Sequence, residues 1–364
     1  MKKNNLKARV IAFYLPQFHP IPENNQWWGK GFTEWTNVGK AKPLYEGHKQ
    51  PKVPADLGYY DLRLNESRIE QAELAKQYGI EAFCYWHYWF GKGKQLLEKP
   101  FKEVLKVKKP DISFCLGWAN QTWSGVWHGS PNRILIEQTY PGLEDYKEHF
   151  YSLLDAFKDK RYMKINEKLV FLIYNPIDIP NALEFTNYWQ TLAKKEGLKG
   201  FHFIAHFSKK TEKYGCQSCV EGAPFATMEA QELEVQKINN IQKPTVYSYK
   251  SLVQYSKNYK LGENEYPLVM PNWDNTPRCG SSGIVLDGST PKLFKEIVDN
   301  AIEKITQKYS KDEEKIIFLK AWNEWAEGNY MEPDLEYGHQ YLEVLLSSLL
   351  KDTNKRKQDY KILN

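Results

Sequence analysis

Glu324 and Glu327 stand three residues apart in the run Trp322-Asn323-Glu324-Trp325-Ala326-Glu327-Gly328, directly after the apolar stretch Ile316 to Leu319. Two carboxyls at this spacing, flanked by tryptophans and an asparagine, suit glycosidic-bond chemistry. One gives a proton to the leaving oxygen while the other acts as base or nucleophile on the sugar. The same residues also fit a plainer role, as acidic groups at a helix N-terminus that favour its dipole. The distribution of tryptophan weighs against that role. Eleven of the 12 tryptophans fall at or just beyond the C-terminal ends of candidate strands: Trp27, Trp28, Trp35, Trp86, Trp89, Trp118, Trp123, Trp127, Trp273, Trp322 and Trp325. Only Trp189 falls inside an expected helix. Strand C-termini form the catalytic face of a β/α barrel. Flat rings there, beside groups such as Gln121, suit a sugar's apolar face and polar edges. Any single tryptophan serves loop packing equally well; the cluster is what points to a carbohydrate cleft.

Other polar residues gather near the same strand ends. Glu34, between Thr33 and Trp35, either binds sugar hydroxyls or is held by backbone amides. Glu332 precedes Pro333 and is expected to shape its loop. Glu327, beside Trp325 and Tyr330, is the carboxyl expected to carry the raised pKa of a general acid, through aromatic burial. Arg278 is expected to pair with Asp274 and orient a sugar; binding a phosphate is the alternative. His19, His87 and His128 follow expected strands and suit substrate hydrogen bonds, structural bonds or convergence on a metal. His202 and His206 share a strand face about 13 Å apart, at roughly 3.3 Å per residue, too far to chelate one ion.

These groups need elements to position them. Eight short, mostly apolar runs read as strands buried on both faces: Arg9–Leu15, Ile80–Trp86, Ile112–Trp118, Leu169–Tyr174, Phe201–His206, Ser218–Glu221, Leu268–Asn272 and Lys315–Trp322. Helical patterns separate them. Asn65–Tyr78 stops at Gly79, and Pro291–Tyr309 starts after Thr290 as N-cap. Glu144–Phe157, Ala182–Glu196 and Gln340–Leu350 look similar, and Phe225–Asn240 is ambiguous. The alternation predicts an α/β fold, a single-domain (β/α)8 TIM barrel with long βα loops on the catalytic face. The longest loop runs from about Pro16 to Asp61. A doubly wound open sheet is the runner-up, disfavoured because no Gly-rich phosphate turn is present. The expected boundaries are a flexible N-terminus at 1–8, the barrel at 9–350 and a polar tail at 351–364.

Composition bounds the function classes. The chain has 364 residues, 41% hydrophobic and 26% charged, with a net charge of +5. That excess is too small and scattered to argue for nucleic acid. No apolar run approaches the roughly 20 residues of a membrane helix. The N-terminus shows no signal-peptide core, so a cytoplasmic location is expected. The odd set Cys84, Cys115, Cys216, Cys219 and Cys279 fits reduced, structural thiols.

Four segments carry a family resemblance: Tyr14-Leu15-Pro16-Gln17-Phe18-His19, Trp27 through Trp35, Tyr85-Trp86-His87-Tyr88-Trp89, and Trp322 through Gly328. The chain resembles the WbsX family over roughly Val10 to Leu350. That family is similar in turn to glycoside hydrolase family ninety-nine, the endo-α-mannosidases and endomannanases. The resemblance implies a retaining hydrolase acting on an α-linked, manno-configured sugar such as mannose or rhamnose, in an oligosaccharide or polysaccharide. It implies that the sugar's own 2-hydroxyl attacks the anomeric carbon, giving a 1,2-anhydro sugar that water opens. Carried over, Glu324 is the base on the 2-hydroxyl and Glu327 the acid and then base at the leaving oxygen. The mannosidases commonly have His where this chain has Ala326, so subsite details differ. The expected sugar-binding residues are Tyr14, Gln17, His19, Trp28, Glu34, Trp35, Trp86, His87, Tyr88, Trp118, Asn120, Trp123, Trp273, Asp274, Arg278, Trp322 and Asn323. No metal or other cofactor is expected. Two alternatives stay open. One is a glycosyltransferase of lipopolysaccharide O-antigen or capsule synthesis, against which stands the lack of an Asp-x-Asp pair. The other is a glycan-binding protein without catalysis.

Overall fold

The computed structural model describes residues 5–125, 130–220, 222, 235–236 and 244–351. Strands β1 (Arg9–Tyr14), β2 (Ile80–Trp89), β3 (Ser113–Trp118), β4 (Lys168–Ile173), β5 (Phe201–Ala205) and β6 (Ser218–Val220) pair in parallel, each with the next. Next come β7 (Glu265–Tyr266), β8 (Leu268–Val269) and β9 (Ile316–Leu319). β7 lies parallel to β6, β8 to β9, and β9 to β1. The two ends of the path, β7 and β8, are thus consecutive pieces of one extended segment, separated by Pro267. Proline has no N–H to give the ladder, but its carbonyl accepts from Phe318 N at 3.0 Å. The seventh expected strand, Leu268–Asn272, is present only as Leu268–Val269, with Glu265–Tyr266 as an unexpected piece before Pro267, and a nearly closed parallel barrel results.

The strand runs are continuous because both faces are covered. Val10 to Phe13 and Ile316 to Leu319 are fully buried, as strands between a barrel interior and a helical shell must be. The β1–β2 connection carries α1 (Pro22–Trp28), α2 (Glu34–Lys40) and α3 (Asn65–Gln77). The shell continues with α4 (Lys99–Val107), α5 (Leu143–Ser152), α6 (Ala182–Lys195), α7 (Tyr249–Asn258), α8 (Pro291–Lys308) and α9 (Gln340–Leu349). Thr290 caps α8 by accepting from Leu293 N, and Gly79 follows α3 at φ +86°, both as the sequence predicts. α6 buries Phe185, Trp189, Leu192 and Ala193 against the sheet.

Several expectations change. The first connection is not one long loop: it holds α1 and α2, so Trp27, Trp28 and Trp35 are helical and Trp189 is not alone in that. The helix expected over Glu144–Phe157 breaks at Leu153, where φ is −107°. There Ser152 Oγ donates to His149 O at 2.7 Å, a side-chain bond that competes with helix geometry. Residues 5–8 are not a free tail: Leu6 bridges Leu350, and Ala8 is buried. A small satellite sheet pairs Thr245–Ser248 with Ile284–Asp287. Most of the ambiguous Phe225–Asn240 segment, Trp127, His128 and the tail beyond Lys351 lie outside the described residues. Among the described residues, no helix is long and apolar enough to cross a membrane.

One side chain docks the glutamate-bearing segment onto the barrel. Asn323 Oδ1 accepts from Leu15 N at 2.8 Å, and its Nδ2 donates to Leu15 O at 3.0 Å. Asn323 thereby takes the place of a strand partner just past β1, with Trp322 N donating to Phe13 O at 2.8 Å beside it. Asn323→Ala strands both polar groups of buried Leu15. It is expected to lower unfolding free energy by roughly 1–3 kcal/mol for each stranded group, measured by urea denaturation.

Candidate active site

The residues after β9 form a tight hairpin, Asn323–Glu324 against Asn329–Tyr330, with one 3-10 turn, Trp325–Glu327, at its tip. Gly328 closes that turn at φ +65°. A Cβ there would lie 2.7 Å from Asp274 N, the same amide that donates to Glu327 O at 2.7 Å. Glycine is thus required twice, by its dihedral and by the close approach. Under the hairpin, Trp325 and Tyr330 stack at 3.8 Å. Glu332 accepts from Trp325 Nε1 at 2.6 Å, Tyr60 Oη at 2.9 Å and Gln71 Nε2 at 2.6 Å. Burial raises its pKa to about 7. As expected, Glu332 shapes the loop and stands outside the cavity.

Above the barrel mouth lies a cavity of about 300 Å³, at the lower end of the range for small-molecule sites. Trp28, Trp86, Trp123, Tyr88 and Tyr174 supply its aromatic walls, and Gln17, Glu34, Arg278, Lys320, Glu324 and Glu327 its charged and polar groups. Arg278 sits on a short helix, Thr276–Cys279, whose start is fixed by Asp274 Oδ1 accepting from Thr276 N at 3.0 Å and Thr276 Oγ1 at 2.6 Å. From there Arg278 meets three carboxylates. Its Nε and Nη2 donate to Glu34 Oε1 at 2.7 and 2.6 Å, its Nη1 donates to Glu327, and its Nη2 is 3.5 Å from Glu324.

Charge is distributed unevenly over the pair. Burial, and then the charge of Glu327, raises the Glu324 pKa to about 8. Burial also pushes Glu327 upward, but the Arg278 and Lys320 charges outweigh it and hold Glu327 below the usual carboxylate range. The two carboxyls are hydrogen-bonded to each other, and Asn329 Nδ2 donates to Glu327 at 3.1 Å. Where the dyad holds a single proton, these surroundings favour it on Glu324. The sequence expectation that Glu327 carries the raised pKa is reversed: Trp325 and Tyr330 bury each other, while Glu327 faces a cation.

Of the expected sugar-binding residues, Gln17, Trp28, Glu34, Trp86, Tyr88, Trp123 and Arg278 line the cavity with the dyad. The others stand behind its wall. Tyr14 Oη donates to Gln71, His19 Nδ1 meets Pro16 O, Trp35 Nε1 donates to Tyr60 O, and Trp118 Nε1 donates to Trp89 O. His87 pairs with His149 at 2.8 Å, and burial lowers it to about 3, which keeps it neutral. His19 and His87 have separate partners, and among the described residues no group of three His, Cys, Asp or Glu is placed to hold a metal ion. Asn120 ties Tyr140 to Asn175, Trp322 packs on Phe83, and Asn323 is the β1 clamp. Trp273 lies under the Lys320 ammonium, 4.8 Å from its ring centroid. Asp274 is not the partner of Arg278: it accepts from Gln50 Nε2 and meets His48 Nε2, each at 2.7 Å. Sequence reasoning missed Asn24, Phe32, Asn37, Tyr174 and Lys320 in the lining. Tyr174 and Lys320 directly follow β4 and β9, a position that was itself a signal. Asn24, Phe32 and Asn37 ride on α1, α2 and the turn between them, and nothing in their spacing marks them.

Comparison with known proteins places this geometry in context. A family profile described as glycosyltransferase WbsX matches residues 10–345. The uncharacterised protein WxcX of Xanthomonas campestris strain B100 is 33% identical over 351 residues, as is its counterpart in strain ATCC 33913. The match covers 95% of this chain and 50% of that protein, so the chain spans about half the length of these relatives. Among solved structures, the GH99 endo-alpha-mannosidase of Bacteroides thetaiotaomicron superposes with a TM-score of 0.55 at 16% identity, covering 93% of this chain and 95% of that one. A glycoside hydrolase-like protein superposes with a TM-score of 0.58 at 12% identity, covering 97% and 96%. At such identities the likeness establishes the fold, a TIM-barrel-like α/β architecture. Matched from Val10 to Leu345, the chain belongs to the WbsX family.

Proposed function

We propose that this protein is a retaining glycoside hydrolase that cleaves an α-linked, manno-configured sugar, such as mannose or rhamnose, within a glycan. The observation that carries this reading is the buried Glu324–Glu327 dyad with one proton, at the strand ends of a barrel and facing a tryptophan-walled cavity. Cleavage with 2-hydroxyl participation needs that inventory. In the first step Glu324 takes the 2-hydroxyl proton as O2 bonds to C1, the bond from C1 to the leaving oxygen breaks, and Glu327 protonates that oxygen. In the second step Glu327 takes a proton from water as its oxygen bonds to C1, the C1–O2 bond breaks, and Glu324 returns its proton to O2. Both steps leave the dyad with one proton, and each carboxyl gives once and takes once. The distribution that burial and Arg278 favour, Glu324 protonated and Glu327 ionised, is the one the second step starts from. The first step needs the proton moved along the hydrogen bond between them.

The family's description as glycosyltransferases favours a second reading, transfer from a nucleotide sugar. The two readings separate on glycan turnover without nucleotide. On aryl α-mannosides, aryl α-rhamnosides and bacterial surface polysaccharides, Glu324→Gln and Glu327→Gln are each expected to lose about 10²–10⁴-fold in kcat/KM. Glu327→Gln should regain much of that with a dinitrophenyl leaving group, which needs no proton, whereas Glu324→Gln should not. Rescue of Glu324→Gln instead would exchange the two roles. Silence of the wild type on every glycan, with calorimetric binding of a nucleotide sugar, would favour transfer.

The pH dependence follows from the dyad. Above about pH 8 Glu324 loses the single proton, and below the usual carboxylate range Glu327 gains a second. The kcat/KM profile is expected to be a bell whose basic limb falls near pH 8. A profile still rising past pH 9 would contradict a one-proton dyad.

A further inference from the structure

Three acidic side chains, each at most 8% exposed, converge on one guanidinium. Glu34 arrives from α2, Glu324 and Glu327 from the hairpin after β9, and Arg278 from the Thr276–Cys279 helix. A planar guanidinium with fixed donor directions can serve this geometry where a single ammonium could not. Its contacts are unequal. Nη1 bonds Glu327, Nε and Nη2 bond Glu34, and Glu324 is left at 3.5 Å from Nη2. Asn329, a neutral donor to Glu327 alone, adds to that inequality, but the other charged and titratable groups around the dyad do not create it. Tyr88, Tyr174 and Cys279 are held neutral by burial, and Lys320 acts on both glutamates.

We propose that Arg278 is a positioning residue: by bonding Glu327 directly and Glu324 only at longer range, it keeps Glu327 the ionised and Glu324 the protonated member of the dyad. Glu34 anchors the guanidinium in that pose. In the reaction Arg278 then stabilises the negative charge that develops on Glu327 as its proton passes to the leaving oxygen. This role rests on the hydrolase reading for its use, but the charge distribution does not depend on turnover.

The test is a carbon NMR titration of protein labelled at glutamate side-chain carboxyls, without glycan, with Glu324→Gln and Glu327→Gln assigning the two signals. In the wild type Glu327 is expected to titrate below Glu324. In Arg278→Met the Glu327 midpoint should rise by about 1–3 pH units, as expected for a carboxylate losing an adjacent cation. Arg278→Lys should restore part of the depression. An unmoved Glu327 midpoint in a folded Arg278→Met protein would overturn the proposal, because a merely structural arginine changes stability and not the order of titration. If Arg278→Met does not fold, the wild type still decides: Glu327 titrating above Glu324 overturns the assignment. A protein that cleaves no glycan yet shows these shifts would fail the hydrolase reading alone. One that cleaves glycan with unshifted midpoints would fail the Arg278 assignment alone.

Discussion

The convergence of three buried glutamates on Arg278, two of them bonded to it, is the constraint around which the barrel mouth is arranged. Ionised carboxylates removed from water are costly unless paired and hydrogen-bonded, and Glu34 is fully buried. Burial raises the Glu34 pKa even with Arg278 beside it. Removing the cation would leave three acidic groups facing one another with little water. The fork must therefore be held firmly, and it is held from behind. Asp274 fixes the first residue of the helix that carries Arg278, and it is itself bonded to His48 and Gln50. Burial pushes the Asp274 pKa up, but bonds from His48, Thr276 and Gln50 outweigh it and keep it ionised. Its amide then donates to Glu327 O, so one residue sets the height of both the cation and its partner.

The long β1–β2 connection has a physical purpose in this arrangement. It brings Glu34 to Arg278 across 244 positions of sequence. It also brings Gln50 and His48 to Asp274 across 224 and 226. α2 is short, but Thr33 and Thr36 satisfy each other's backbone amides at its start, which fixes the direction from which Glu34 enters. Trp35 packs on Phe18, Tyr60 and Trp325, tying that helix to the hairpin. These aromatic contacts account for tryptophans that line no cavity: they brace the carboxylates in a small volume.

The barrel was legible because parallel strands covered on both faces must be written as continuous apolar runs. Ile316 to Leu319 and Leu169 to Ile173 are such runs, and each is a strand. α8 was legible from Thr290 and Pro291, whose chemistry suits a helix start wherever the chain later goes. α1 and α2 were not, since seven residues are too few for a period to emerge. The glutamate pair was legible because the motif is local. Which tryptophans line the cavity was not. A residue at a strand's end points into the mouth or into the shell according to register and bulges, and β1 and β2 shift register between Val10 and Ile11. Arg278 was recognised as important but given the wrong partner. Asp274 is close in sequence, whereas Glu34 and Glu327 come near it only through the closed barrel.

The first step of the proposed reaction needs the proton on Glu327, and in that proposal substrate hydrogen bonds act in the required direction against its preference for Glu324. A sugar 2-hydroxyl donating to Glu324 stabilises its ionised form, since a bond donated to a carboxylate favours the charge. A glycosidic oxygen beside Glu327 accepts a bond only from the protonated acid, so it favours the proton there. Both contacts exist together only when a sugar with its 2-hydroxyl trans to the leaving group is seated. In the proposed reaction the proton is thus moved to the acid by the substrate able to use it. Arg278 opposes that transfer before cleavage and favours its reversal afterwards, when Glu327 must be an anion again to deprotonate water. In the proposed reaction Glu327 becomes that anion by protonating the leaving oxygen, and an unequal fork stabilises it until water is deprotonated.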